Sequence, residues 1–310
     1  MTGSTPSSDF NTRLAAAAVA TELMLDSLLR PAPLSGETLR PKHFLEAVRY
    51  ASLNGGKRFR PFLTIETARL LGAIGKGVER AAAAIEMVHC YSLVHDDLPA
   101  LDNDDLRRGS PTTHKVFGEA HAILAGDALL TYAFDVLAAE ETHPDAQTRI
   151  ALVLGLARAA GFGGMIGGQV LDLEAEGSLA PHDPEAVTRL QAMKTGALLR
   201  FAVDAGAILG GAGGKARASL SHFGRAIGAA FQIADDILDV EADEGALGKR
   251  AGKDAGRNKA TLVAALGMDA ARGRLEQLVA EAIAALDSLS AGSKADILRE
   301  AAFFAAARKY

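Results

Sequence analysis

Asp96, Asp97, Asp102, Asp104 and Asp105 crowd into the stretch H-D-D-L-P-A-L-D-N-D-D-L, and Arg107 and Arg108 follow at once. Carboxylates this close repel one another unless something positive sits between them. Mg²⁺ suits such a cluster, because it takes one or two carboxylates and leaves its other positions to water and phosphate oxygens. Arginine offers phosphate a planar, forked donor. Acid, metal, phosphate and arginine together describe a site for a diphosphate.

A second acidic cluster lies at Phe231-Gln232-Ile233-Ala234-Asp235-Asp236-Ile237-Leu238-Asp239. On a helix Gln232, Asp235 and Asp239 fall on one face, a turn apart. Charged side chains in such an apolar segment are costly unless paired or metal-bound. One D-D-I-L-D reads equally well as a solvated helix face; two such clusters with cations nearby point to a metal. Lys57, Arg58 and Arg60 precede Pro61 and make either a solvated turn or an anion site. Lys194 sits in an apolar helix face, where an anion would have to meet it.

The elements that must carry these residues read as helices throughout, with abundant alanine, the best helix former. Helices are expected at Phe10–Leu29, His43–Leu53, Pro61–Gly75, Gly77–Asp97, Gly118–Glu141, Pro144–Ala160, Asp183–Leu209, Lys215–Val240, Thr261–Leu289 and Ser293–Ala307. No strand signals of note, repeats or linkers interrupt them. Residues 1–9 read as disordered, and 10–310 as one all-α domain. Pro99 forbids a regular helix through the first acidic cluster, so Leu98–Leu101 must distort to bring Asp96 and Asp102 together. The glycines of 161–169 lack the lysine of a P-loop and are assigned to close helix packing, with Gln169 and Asp172 supporting the site. Lys194-Thr195-Gly196 marks a kink in its helix. Glu241–Asn258 reads as a polar surface loop.

The 310 residues carry a formal net charge of −5, which argues against a nucleic-acid partner. Cys90 is the only cysteine, so no intrachain disulfide and no cysteine zinc site is expected; a reducing cytoplasm fits. The N-terminus has no basic or apolar signal region. No run of ~18 uncharged apolar residues is present, so no stable membrane insertion is expected.

The spacing D-D-x-x-x-x-D (Asp96, Asp97, Asp102) with D-D-x-x-D (Asp235, Asp236, Asp239) resembles the two aspartate-rich motifs of trans-isoprenyl diphosphate synthases. The resemblance extends to G-G-K-R-F-R-P at 55–61, L-R-R-G at 106–109, L-A-G-D-A-L-L at 124–130, G-G-Q-V-L-D at 167–172, K-T-G at 194–196 and L-G-K-R-A-G-K-D at 247–254. It covers nearly the whole chain in the family's order, and the subgroup it looks most like is the bacterial farnesyl diphosphate synthases.

The resemblance implies a helical bundle of the isoprenoid synthase type around a central cavity, usually a homodimer. It implies Mg²⁺, three ions per site, held by Asp96, Asp102 and Asp235 with Asp97, Asp236 and Asp239 in support. It places Lys57, Arg60, His89 and Arg108 on isopentenyl diphosphate, and Arg107, Lys194, Lys249 and Lys259 on the allylic diphosphate. The family's usual glycine before the last lysine is Asn258 here, which puts that contact in doubt. Thr195 and Gln232, with Lys194, would stand beside the reacting carbon. Tyr91 and Ser92 would shape the cavity floor, and an aromatic there favours the C15 product over C20. The alternatives are a geranylgeranyl diphosphate synthase, a class I terpene cyclase, which needs no second basic diphosphate site, and a silent modulating subunit, which would have lost an acidic motif.

Overall fold

The computed structural model describes residues 7–176, 183–246, 260–289 and 291–307. They form two compact units. One comprises residues 11–153; the other holds the described residues up to Phe10 and from Leu154 onward.

The first unit is built on α1 (Ser8–Leu28), α2 (Lys42–Leu53), α3 (Phe59–Leu70) and α4 (Lys76–Asp96). A two-residue hairpin follows, β1 (Leu106–Arg107) paired antiparallel with β2 (Ser110–Pro111). Then come α5 (Thr113–Phe117), α6 (Glu119–Ala138) and the start of α7 (Ala146–Ala160). α4 is the buried axis: Ala81, Ala82, Ala83, Ala84, Ile85, Met87 and Val88 are fully enclosed. A run of alanines lets neighbouring helices approach α4 closely, which fixes the height of His89, Tyr91 and Asp96 along it.

The second unit contains α8 (Met165–Glu176), α9 (Pro184–Gln191), a π turn at Ala192–Gly196, α10 (Ala197–Leu209) and the long α11 (Gly214–Ala246). α12 (Leu262–Leu266), α13 (Met268–Asp287), a 3₁₀ turn at Gly292–Ala295 and α14 (Asp296–Ala306) complete it. Its core includes Val187, Leu190, Ala230, Ile233, Leu262, Ala271 and Leu278.

The all-α class is as expected, with several differences in detail. Helix α1 begins at Ser8, not Phe10, because Ser7 donates to the Glu300 carboxylate at 2.8 and 2.9 Å and Phe10 packs on Phe304. Residues 1–6 lie outside the described residues. The expected 261–289 helix breaks at Gly267, whose φ of +85° suits glycine and not a helix. Helix α11 continues to Ala246, past the Val240 end expected. The hairpin around Arg108-Gly109 departs from the strand-free expectation; both residues have positive φ (53° and 77°), as a type I′ turn requires. Glu119–Ala138 and the 146–176 stretch reach the length and mean apolarity of membrane spans by composition alone, but each is interrupted by charged residues, such as Asp127 and Arg158, so neither is an uncharged apolar run. The second is broken by the turn at 161–164.

Candidate active site

In the first unit, α4 ends at Asp96, where Pro99 begins to interfere. The backbone then doubles back: the Leu101 amide donates to Leu98, the Asp102 amide to the Asp96 carbonyl at 2.8 Å, and the Asn103 amide to Leu98. Asn103 takes φ +52° to complete this turn. The insert therefore returns Asp102 to Asp96, and both side chains are half-buried. Asp97 points elsewhere. It is buried and accepts from Arg107 Nε at 2.9 Å and Nη2 at 2.5 Å, while Arg107 Nη2 also reaches Asp104 at 3.1 Å. Burial holds the Asp97 carboxyl above its ordinary range, and Arg107 pulls it back. The Asp97 carboxylate thus holds the Arg107 guanidinium in place.

The three cations before Pro61 part company. Arg58, with φ +48°, turns its guanidinium inward to Glu86 at 2.8 Å and the Ser52 carbonyl at 2.7 Å. Lys57 stays exposed and Arg60 half-buried. The Arg108 guanidinium donates to the Gly55 carbonyl and lies where a Gly56 Cβ would be. His89 is pushed well below the ordinary imidazole range, first by burial and then by Arg60, Arg108, Arg58 and Arg107. That ring therefore stands in the positive field of Arg60, Arg108, Arg58 and Arg107. Tyr91 is 5% exposed; its hydroxyl has no hydrogen-bond partner among the described residues and its pKa is pushed up to about 12 by burial and by Asp96. Ser92 donates to the His89 carbonyl at 2.9 Å.

In the second unit, the π turn at Ala192–Gly196 carries Lys194 and Thr195. The bulge inserts an extra residue where the sequence suggests a kink, and such turns recur at functional sites. Lys194 donates to Asp172 of α8 at 2.5 Å, and Thr195 donates its hydroxyl to Gln232 Oε1 of α11 at 2.7 Å. α8 lies close because Gly168 has no side chain: a Cβ there would strike the Lys194 backbone. The glycine segment is thus a packing device, as expected. On α11, Asp236 is buried and accepts from Gln191 Nε2 at 2.7 Å, the Leu262 amide at 3.0 Å and Gln232 Nε2 at 3.1 Å. Burial raises the Asp236 carboxyl despite these donors. Asp235 is half-buried and Asp239 exposed, one turn apart. Gln191 is a residue that sequence reasoning misses; it lies at the end of α9 beside the buried Leu190, and no local pattern marks it out. Lys249 and Lys259 lie outside the described residues.

Among the described residues no three acidic, histidine or cysteine side chains form a ready metal cage. Mg²⁺ does not need one, since it is held by one or two carboxylates with waters and phosphate oxygens. Asp96 with Asp102, and Asp235 with Asp239, are carboxylates of that kind, and Asp97 and Asp236 accept hydrogen bonds from Arg107, Gln191 and Gln232.

Residues 41–300 match the family model described as polyprenyl synthetase. The chain belongs to that family. It is 44% identical over 284 residues to the farnesyl diphosphate synthase of Escherichia coli K12, covering 91% of this chain and 93% of the relative. Against the farnesyl diphosphate synthase of Geobacillus stearothermophilus it is 48% identical, covering 76% of this chain and 79% of that one. The apo crystal structure of an FPP/GFPP synthase from Zymomonas mobilis superposes with a TM-score of 0.83 at 42% identity, covering 95% and 97% of the two chains. These polyprenyl synthetase relatives are all-α, as this chain is.

Proposed function

We propose that the chain is a short-chain trans-prenyltransferase that condenses isopentenyl diphosphate with dimethylallyl and then geranyl diphosphate to farnesyl diphosphate. The observation that carries this is the sorting of the carboxylates. Asp97 aims Arg107, Asp172 aims Lys194 and Asp236 aims Gln232, while the backbone folds Asp102 back onto Asp96. Its support in kinship is high identity to proteins named farnesyl diphosphate synthase.

Lys57, Arg60, Arg108 and the neutral His89 would hold isopentenyl diphosphate, which has two phosphates to satisfy. Arg107 and Lys194, each oriented by a carboxylate, would bind the allylic diphosphate. Asp96 and Asp102 of the first unit, and Asp235 of the second, are the carboxylates that would hold Mg²⁺, which when bound supplies positive charge to a departing diphosphate. Thr195 gives its hydroxyl proton to Gln232, so it presents lone pairs to a carbon gaining positive charge. Preorganised dipoles of this kind lower a barrier without reorganising. The enclosed aromatic Tyr91 would stop chain growth at C15.

We also read the protein as cytoplasmic and homodimeric. A buried single cysteine is compatible with the first. The exposed stripe Ile166, Val170 and Leu173 on α8, with Phe162 97% exposed before it, supports the second.

The test is product analysis. Purified protein receives isopentenyl and dimethylallyl diphosphates with Mg²⁺, and the dephosphorylated alcohols are chromatographed. Farnesol is expected, with Tyr91→Ala shifting it to geranylgeraniol. Geranylgeraniol from the unmodified chain would keep the condensation and refute the C15 assignment. Absence of any prenyl alcohol would overturn the enzyme reading.

A further inference from the structure

A second cationic feature lies within the 154–310 unit. A cleft of about 400 Å³ is lined by Arg189, Arg200, Arg225 and Arg274, with His222 beside them. Against these four guanidiniums the lining holds one carboxylate, Glu281, which pairs with Arg274 at 2.8 Å. No carboxylate of the lining pairs with Arg189 or Arg225; behind the lining, the charges of Arg200, Arg217 and Arg225 bear on the Asp204 carboxylate. Arg200 Nε has no hydrogen-bond partner among the described residues; its nearest carboxylate, Asp204, stands at 3.8 Å.

Like charges gathered on one concave wall raise the local positive potential and attract anions. Forked guanidiniums match phosphate oxygens in pairs. We propose that this cleft is a binding site for a phosphate-class polyanion, and that inorganic diphosphate is of the size and charge it takes. None of its arginines belongs to the residues assigned above to substrate, so the site stands apart from the proposed function and does not depend on it.

The position gives such binding a consequence. Ala192, Met193 and Gly196 of the π turn line the cleft, while Lys194 and Thr195 of the same turn bond to Asp172 and Gln232. Helix α11 packs backbone to backbone on this segment: a Cβ on Gly228 would stand 3.1 Å from the Gly196 Cα, and one on Gly224 3.0 Å from the Arg200 Cα. An anion in the cleft would therefore bear on a turn that has no slack.

The experiment is calorimetric titration of the full chain with inorganic diphosphate in EDTA, where no metal assists the aspartate motifs. Binding is expected that weakens at least tenfold in Arg225→Gln/Arg274→Gln and survives in Arg60→Gln. Glu281→Gln, which removes the one lining carboxylate and leaves the arginines intact, is expected to tighten it severalfold. Affinity that is unchanged in the double variant, unmoved by Glu281→Gln, or lost with Arg60→Gln overturns the proposal, as does the absence of binding at millimolar diphosphate. Turnover of the double variant is a separate measurement and reports on the prenyltransferase reading alone.

Discussion

Lys194 and Asp172 form an ion pair of 2.5 Å between the π turn and α8, with both side chains partly open to solvent, 27% and 19% exposed. A carboxylate in this place aims the ammonium without burying it. Asp172→Asn keeps the shape and removes the charge. Stability should change by less than about 1 kcal/mol, as for other partly exposed pairs. The aim of Lys194 should loosen, and small misplacements of a positioning group cost about 10²-fold in rate. Steady-state kcat/KM checks this; unchanged turnover would strip Asp172 of the role.

The turn before Pro61 separates a structural cation from a binding one. Arg58 and Glu86 are both buried, and removing one partner of such a pair costs about 3–5 kcal/mol. Arg58→Ala should therefore lower the denaturant midpoint sharply. Lys57→Ala, on an exposed side chain, should leave stability within about 0.5 kcal/mol and raise KM for isopentenyl diphosphate. Equal stability losses in the two variants would contradict the division.

His89 predicts a pH dependence. Its folded pKa lies well below 6.5, by burial and four nearby arginines. Below pH 6.5 the unfolded chain takes up a proton that the folded ring refuses, so the contribution is complete above 6.5 and lost as pH falls toward the lowered value. The slope can reach ~1.4 kcal/mol per pH unit. Unfolding midpoints followed from pH 7 to 5 should fall more steeply for the unmodified chain than for His89→Gln. Parallel curves would show that the histidine titrates normally.

Gly168 tests the seat of the π turn. Gly168→Ala pushes a methyl into the Lys194 backbone. Overpacking of this sort costs about 1–3 kcal/mol, and the displaced turn should lower kcat as well. Gly213→Ala, where a Cβ meets nothing within 4 Å, is the control and should be neutral in both assays.

Much of this is legible in the sequence. Helical periodicity, the two aspartate motifs, the kink at Lys194-Thr195-Gly196 and the packing role of the 161–169 glycines are local patterns, and local patterns are set by residue type and spacing. The tertiary structure decided what spacing does not encode. Asp96 and Asp97 are neighbours of identical chemistry, yet one follows the fold-back of Asp102 and the other turns to Arg107. Asp235 and Asp236 divide in the same way, because Asp236 is the one that meets Gln191 and the Leu262 amide. Lys57, Arg58 and Arg60 form one cationic run in the sequence, but Arg58, at positive φ, turns inward to Glu86. The arginine cleft beside the π turn likewise arises from the approach of distant segments, bringing together Arg189, Arg200, Arg225 and Arg274. Sequence by itself determined which charges the protein owns. The three-dimensional packing decided which of them are committed to fixing another side chain and where the others are aimed, since burial and partnering depend on contacts from elsewhere in the chain.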